Sequence, residues 1–288
     1  MFTLHNGDCL TVLPSIPSGS IDAIITDLPF GTTACKWDSV IPLLPMWEEV
    51  KRVLKVTGTF ITTASQPFTS ALIASNYEMF KYEYIWNKSR RFGVLHAKNM
   101  PLKKHENVEV FSKGIVAHIG KSKNRMTYNP QMQEGKPYKK LVTRKQFEGT
   151  DHRLARPSLN EKMIINDGYR YPHTVLDFPF GNNKSLHPTQ KPVALYEYLI
   201  KTYTNEGETV LDIAMGSGTT IEAAERTGRN SIGIEKDEGI FQSAVLRLKP
   251  FTPSNTASSG RVDSSRSPEL FPAEVESPAK VTRQSARR

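Results

Sequence analysis

The 288-residue sequence predicts an α/β fold, a doubly wound parallel sheet with a basic module inserted into it. Three observations predict it. Residues 209–213 read as a strand, a glycine turn follows, and 219–227, 231–235 and 239–248 read as helix, strand and helix. That order is the unit of a right-handed parallel crossover. Residues 1–112 also alternate between β-branched runs and helical spacing. Residues 113–183 lose the periodicity and become rich in Lys, Arg, Asn, Tyr and Pro.

Taken in chain order, 21–25 (IDAII) is a short apolar, β-branched run leading to Asp27, the pattern of a buried strand. Leu43, Met46, Trp47, Val50, Val53 and Leu54 recur at helical spacing and predict a helix over 43–54. Strands are predicted at 58–63 (GTFITT), 82–86 (YEYIW) and 108–111. Clean patterning returns at 184–249, starting with a helix over Val193–Tyr203. The Ser-, Pro- and Arg-rich stretch 250–288 has too few large apolar residues to fold and is predicted to be disordered. The pentapeptide DLPFG (27–31) has an echo, DFPFG (177–181), which follows only a short run and reads as a loop or module edge.

Hydrophobic residues make up 38% of the chain and charged residues 23%, enough for an ordinary core. The two cysteines, Cys9 and Cys35, form no CxxC pair and no ligand spacing with histidine. This argues against structural zinc or another metal centre and fits a reduced cytoplasmic compartment. The N-terminus lacks the pattern of a signal peptide, and no apolar run is long enough for a membrane helix. The net charge of +9 points to a polyanionic partner, and its placement sharpens the reading. Residues 113–156 carry eleven Lys/Arg against three Asp/Glu, interleaved with Tyr128, Asn129, Gln131, Gln133, Tyr138, Gln146 and Phe147. Phosphate neutralisation beside polar and stacking groups is what nucleic-acid contact requires. Lys121, Lys123, Arg125, Lys139, Lys140, Arg144 and Lys145 are the candidate contacts; the alternative is a solvated loop.

The segment TVLDIAMGSGTTIEAA (209–224) carries the strongest ligand signal. Gly216 and Gly218 permit a tight turn and close approach of a ligand, and Thr219 opens a helix with free N–H groups. Asp212, just before the turn, would repel a pyrophosphate but welcome an ammonium group. Glu235, 19 residues after Gly216, ends the next strand, where an acid can accept both hydrogen bonds of a ribose diol. At the other candidate site, Asp27-Leu28-Pro29-Phe30 follows a buried strand at the edge where such sheets bind ligands. A carboxylate can accept an exocyclic N–H of a base, the carbonyl of Leu28 or Pro29 a second, and Phe30 offers a stacking face. No metal or covalent nucleophile is needed.

With these residues placed, TDLPFG (26–31), HPTQKP (187–192) and LDIAMGSGTT (211–220), in that order, resemble the amino-group DNA methyltransferases of the β arrangement. The resemblance covers about residues 4–248. It implies a Rossmann-like, S-adenosylmethionine-dependent methyltransferase fold with circularly permuted motif order: a catalytic half (1–112), a target-recognition module (113–183), a cofactor half (184–249) and a tail. Asp27, Leu28, Pro29 and Phe30 fall on the catalytic motif. Asp212, Ala214, Gly216, Ser217, Gly218, Thr219 and Glu235 fall on the cofactor loop and its ribose acid, joined by Asp27. Thr189 and Lys191 fall beside the methionine end of the cofactor, and Asp8 and Cys9 beside its adenine. Phe92 or His105 would line the base pocket.

Leu28 departs from the usual Pro, Phe30 from the usual Tyr, and Ala214 from a common aromatic. Asp at the first catalytic position resembles the adenine-N6 branch. A cytosine-N4 enzyme of the same fold and a catalytically degenerate DNA-binding relative remain the alternatives. The partner implied is double-stranded DNA in a bacterial cytoplasm, reached from a bacterial or phage gene. The resemblance allows a homodimer and a cognate restriction nuclease.

Overall fold

Apolar strands form a main sheet covered by amphipathic helices in the computed structural model, which describes residues 1–32, 38–116, 123–142, 162–180 and 191–251. In chain order the main elements are β1 (Phe2–Asn6), α1 (Cys9–Val12), β2 (Ile21–Thr26), α2 (Leu43–Val53), β3 (Leu54–Ala64), α3 (Phe68–Ser75), β4 (Phe80–Phe92) and β5 (Lys103–Ser112). Four short strands follow, β6 (Gln133–Glu134), β7 (Tyr138–Val142), β8 (Lys162–Asn166) and β9 (Tyr169–Arg170), and then β10 (Val175–Asp177). The chain closes with α4 (Val193–Tyr203), β11 (Thr209–Asp212), α5 (Thr219–Arg226), β12 (Asn230–Glu235) and α6 (Glu238–Leu248). The predicted tail lies outside the described residues apart from its first two positions.

Eight strands form the sheet in the order β1-β12-β11-β2-β3-β5-β4-β10. All neighbours are parallel except β5, which runs antiparallel to both β3 and β4. Val210 and Leu211 pair with Ala23 and Ile24, so β11 and β2 lie side by side at the centre. From this seam the chain winds outward in both directions, to β3 on one side and β12 on the other. A crevice therefore opens beyond the carboxyl ends of β2 and β11. Every residue of β2 is buried, as its largely apolar sequence requires, and the carboxylate of Asp22 is met by Lys55 and the Thr209 N–H.

The sheet is covered on both faces. Trp47 of α2 reaches Phe60 and Phe111 at ring separations of 4.8 and 5.0 Å and donates its indole N–H to Ser75 at 2.8 Å. On the opposite face Ile25, Ile61, Trp86 and Val108 pack with Leu199, Ile200 and Tyr203 of α4. A third cluster seats Phe241, Ala244 and Leu248 of α6 on Met215 and Ile221. Among the described residues, no helix is long and apolar enough to cross a membrane.

The strands and helices read from periodicity are present, with shifted ends. The structure adds β1, α1 and α3, which are too short to show a period of their own. The echo at 177–181 starts where an edge strand of the main sheet ends: Val175–Asp177 pairs with Ile85–Asn87, Phe178, Pro179 and Phe180 lie outside any strand as a loop or module edge requires, and the Trp86 indole N–H reaches the carbonyl of Phe178 at 2.7 Å. Between β5 and β10 lie two two-stranded ladders, β6–β9 and β7–β8, both antiparallel and outside the main sheet.

One core residue conflicts with its surroundings. Glu109 of β5 is fully buried opposite Glu83, and neither carboxylate oxygen has a hydrogen-bond partner among the described residues. Burial, helped by Glu83, pushes its carboxyl up to about 8 from an ordinary 4.5. Folding then takes up a proton, so this group's favourable contribution is complete below about pH 4.5 and lost as the pH rises towards 8. Glu109→Gln is expected to raise the melting temperature by about 4–8 °C at pH 8.5, from a gain on the order of 2 kcal/mol. The gain should shrink at pH 5.5. Equal shifts at both pH values in thermal unfolding would show that the carboxyl is not held protonated.

Candidate active site

The central seam brings two acid-bearing loops together. At the end of β2, one Asp27 oxygen accepts the Thr63 hydroxyl and the other lies 2.8 Å from the Lys191 ammonium. Leu28 turns inward and is 3% exposed in the core, so the departure from Pro supplies an apolar plug beneath the turn. Phe30 is half-buried and stacks on Phe68 at 5.5 Å, with the Lys191 ammonium 5.8 Å from its ring. Gly31 and Thr32 donate their backbone N–H groups to Asp38 at 2.8 and 2.9 Å, which fixes the exit of this loop.

At the end of β11, Asp212 is 2% exposed. It accepts the Thr26 hydroxyl at 2.7 Å, the Thr220 hydroxyl, and the Ala214 N–H at 3.1 Å. Burial nevertheless pushes its carboxyl up to about 6. Gly216 and Gly218 take φ of +52° and +79°, as the tight turn requires. Glu235, at the end of β12, accepts the Gly216 N–H at 2.9 Å and the Asp237 N–H at 2.8 Å, so one carboxylate ties the two loops together. Its own carboxyl is pushed up, chiefly by burial. Arg247 of α6 braces the same turn through Ser217 Oγ at 2.9 Å, Thr219 Oγ1 at 3.1 Å and Glu222 at 2.6 Å.

A single cavity of about 900 Å³ spans both loops and is lined by Asp8, Cys9, Asp27, Leu28, Pro29, Phe30, Lys191, Asp212, Ala214, Gly216, Ser217, Thr219 and Glu235. Every described cofactor or catalytic candidate except Gly218 therefore lines one space. A Cβ at Gly218 would sit 3.0 Å from Leu248, so this glycine serves the packing of α6. Asp8 caps α1 through the Leu10 N–H at 2.9 Å and pairs with Lys236 at 2.9 Å, which holds its carboxyl below the usual range. The buried Cys9 thiol is pushed up to about 11 and is inert as a nucleophile. Phe92 lines the cavity and His105 is exposed outside it. Thr189, Lys121, Arg144 and Lys145 lie outside the described residues. Lys123, Arg125, Lys139 and Lys140 are exposed, the last two on β7.

Sequence reading missed Lys88, Glu106 and Phe180, all of which line the cavity. Lys88 and Glu106 face each other across the β4–β5 hairpin as a buried ion pair. Phe180, from the echo, stacks on Trp86 at 6.1 Å and meets the edge of Phe92 at 5.4 Å. The available signal was charge inside otherwise apolar strands, weak without knowing which strands pair.

The sequence profile of the N6/N4 methyltransferase family, described as DNA methylase, matches residues 21–246. The chain belongs to this DNA methylase family. Methylases of this family take their methyl group from S-adenosylmethionine. Among curated relatives, the type II methyltransferase M.HinfI of Haemophilus influenzae is 28% identical over 280 residues, covering 87% of this chain and 69% of its own. The DNA adenine methyltransferase YhdJ of Escherichia coli (strain K12) is 29% identical over 262 residues, covering 85% and 82%. Among solved structures, the cytosine-N4-specific PvuII DNA methyltransferase shares the fold with a TM-score of 0.59 at 18% identity, covering 86% of each chain.

The site of this methylase fits its cofactor on its own chemistry. Two carboxylates, Asp212 and Glu235, border a turn in which a Cβ at Gly216 would meet nothing within 4 Å, so backbone and ligand can approach closely there.

Proposed function

We propose that this methylase methylates the N6 amino group of an adenine flipped out of duplex DNA into the cavity. The observation that carries the reading is the position of Asp27, which lines the same space as Asp212 and Glu235 on the neighbouring strand ends. Glu235 would hold the ribose of S-adenosylmethionine, Asp212 and the 214–219 loop its amino-acid end, and Asp8 with Cys9 its adenine. The cofactor supplies an electrophilic methyl group on a sulfonium that is already a good leaving group.

The work left to the chain is alignment. Asp27 accepts one amino N–H and the carbonyl of Leu28 or Pro29 the other, which turns the nitrogen lone pair towards the methyl group. As the nitrogen takes the methyl group and the methyl–sulfur bond breaks, Asp27 would hold and accept the proton that the nitrogen loses. Phe30, braced by Phe68, offers a ring face to the base. The exposed Lys139 and Lys140 of β7, with Lys123 and Arg125, supply phosphate contacts from a recognition module over 113–183.

Asp at the head of the catalytic motif and the description of YhdJ as an adenine methyltransferase favour adenine. The likeness to the PvuII enzyme supports cytosine N4 as the second reading. Modification-sensitive sequencing of DNA from a methylation-deficient bacterial host expressing this chain, beside an Asp27→Ala control, tests both. N6-methyladenine at one short motif, absent from the control, is expected. N4-methylcytosine would overturn the base assignment, and no modification from a folded protein would overturn the activity.

A further inference from the structure

Four charged side chains alternate in sign from the catalytic loop into the wall of the cavity. Asp27 lies 2.8 Å from Lys191, Lys191 lies 3.4 Å from Glu106, and Glu106 pairs with Lys88. Lys191, Glu106 and Lys88 are each less than one-tenth exposed or at that level, so water screens these charges poorly. The Lys88 ammonium lies 5.3, 4.6 and 5.3 Å from the ring centres of Trp86, Phe92 and Phe180. Glu106 is the only member of the set with a lysine on either side. Lys191 stands between it and Asp27, and the function proposed above gives it no role.

Two carboxylates balance two ammonium groups. Removing Glu106 leaves two buried cations and a single acid, and the ammonium of Lys191 then has one partner in place of two. Lys191 lies just ahead of α4 and outside any helix or strand, so its backbone does not fix where its ammonium rests. Glu106, on the rigid β5, does.

We propose that Glu106 is a positioning residue for methyl transfer, holding Lys191 against Asp27 and Lys88 against the aromatic wall so that the carboxylate meets the target amino group in one orientation. This rests on the proposed activity. The groups that face this set are Lys103 of β5, Tyr196 of α4 and Asp212 of β11. Burial disfavours the Lys191 cation, but Asp27 and Glu106 outweigh it and hold the ammonium above its usual range. Without Glu106, burial and the Lys88 charge would bring that value down.

The test compares wild type, Glu106→Gln, Glu106→Asp and the double variant Glu106→Gln/Lys88→Met, which restores charge balance. The Lys191 side-chain nitrogen is followed by NMR against pH, with Lys191→Met to assign its signal. Steady-state methylation of duplex DNA is measured in parallel. In Glu106→Gln the Lys191 titration should move down by at least one pH unit, and kcat should fall about 10–100-fold with cofactor Kd within twofold. An alkaline limb should appear in the rate profile. Glu106→Asp and the double variant should each recover part of kcat and of the shift. An unmoved Lys191 titration overturns the inference whether or not the protein methylates DNA. A moved titration with unchanged kcat in an active enzyme also overturns it. Absence of methylation by the wild type would instead count against the proposed activity.

Discussion

Asp27→Asn should lower the rate of methyl transfer about 10³-fold while leaving cofactor affinity within a few-fold of wild type. The substitution keeps the volume of the side chain but removes its charge, and one of its two acceptor oxygens becomes an N–H₂ donor. Thr63 and Lys191, which both donate to Asp27, would compete for the single remaining oxygen. The target amino group would then meet a donor or a taken acceptor, and its lone pair would lose its alignment. Cofactor binding should survive because Asp212 and Glu235 sit on different strands and keep their own partners. Transfer of labelled methyl groups to DNA, beside calorimetry with S-adenosylmethionine, separates the two effects. A rate within tenfold of wild type would remove Asp27 from the chemistry.

Glu235→Ala should weaken S-adenosylmethionine binding about 100-fold, close to 3 kcal/mol, because hydrogen bonds to a charged acceptor are worth about 1.5–3 kcal/mol each. The carboxylate also receives the backbone N–H groups of Gly216 and Asp237, so its removal frees both loops that border the cavity. Glu235→Gln, which keeps one acceptor oxygen, should lose less, about tenfold. The neighbouring Asp212 adds a pH dependence. Its carboxyl is pushed up to about 6, so the free protein takes up a proton there as the pH falls below that value. A ligand that places an ammonium beside Asp212 must expel that proton. Affinity should therefore be flat above about pH 7 and fall by roughly tenfold per unit below pH 6. Titrations between pH 5 and 8 decide this. A flat profile across the range would show that Asp212 serves its three protein donors alone.

Much of this arrangement is legible in the chain because it is local. IDAIIT reads as a buried strand because it is short, β-branched and apolar except at Asp22 and Thr26, and Asp27 follows where the strand ends. The two glycines after Asp212 mark a turn with positive φ, and Glu235 comes one helix and one strand later. The order of TDLPFG, HPTQKP and LDIAMGSGTT carries the family, and the profile match over 21–246 agrees with it. The short pieces were not legible. β1, α1 and α3 span five, four and eight residues, fewer than periodicity needs to rise above chance.

Which distant groups meet follows from strand order and packing alone. Lys88, Glu106 and Lys191 come from β4, β5 and the approach to α4, and no local pattern predicts that two lysines will share one glutamate. Phe180 belongs to a segment that resembles the catalytic motif, yet its place on Trp86 follows from the pairing of β10 with β4. Propensity and hydrophobic period report how a residue relates to its own element and to water. They are silent on contacts between elements far apart in sequence, because those depend on strand order. Local pattern sets the longer elements, the two acid-bearing turns and the chemistry they suit. The sheet, by setting β11 beside β2, determined that these turns open into one cavity.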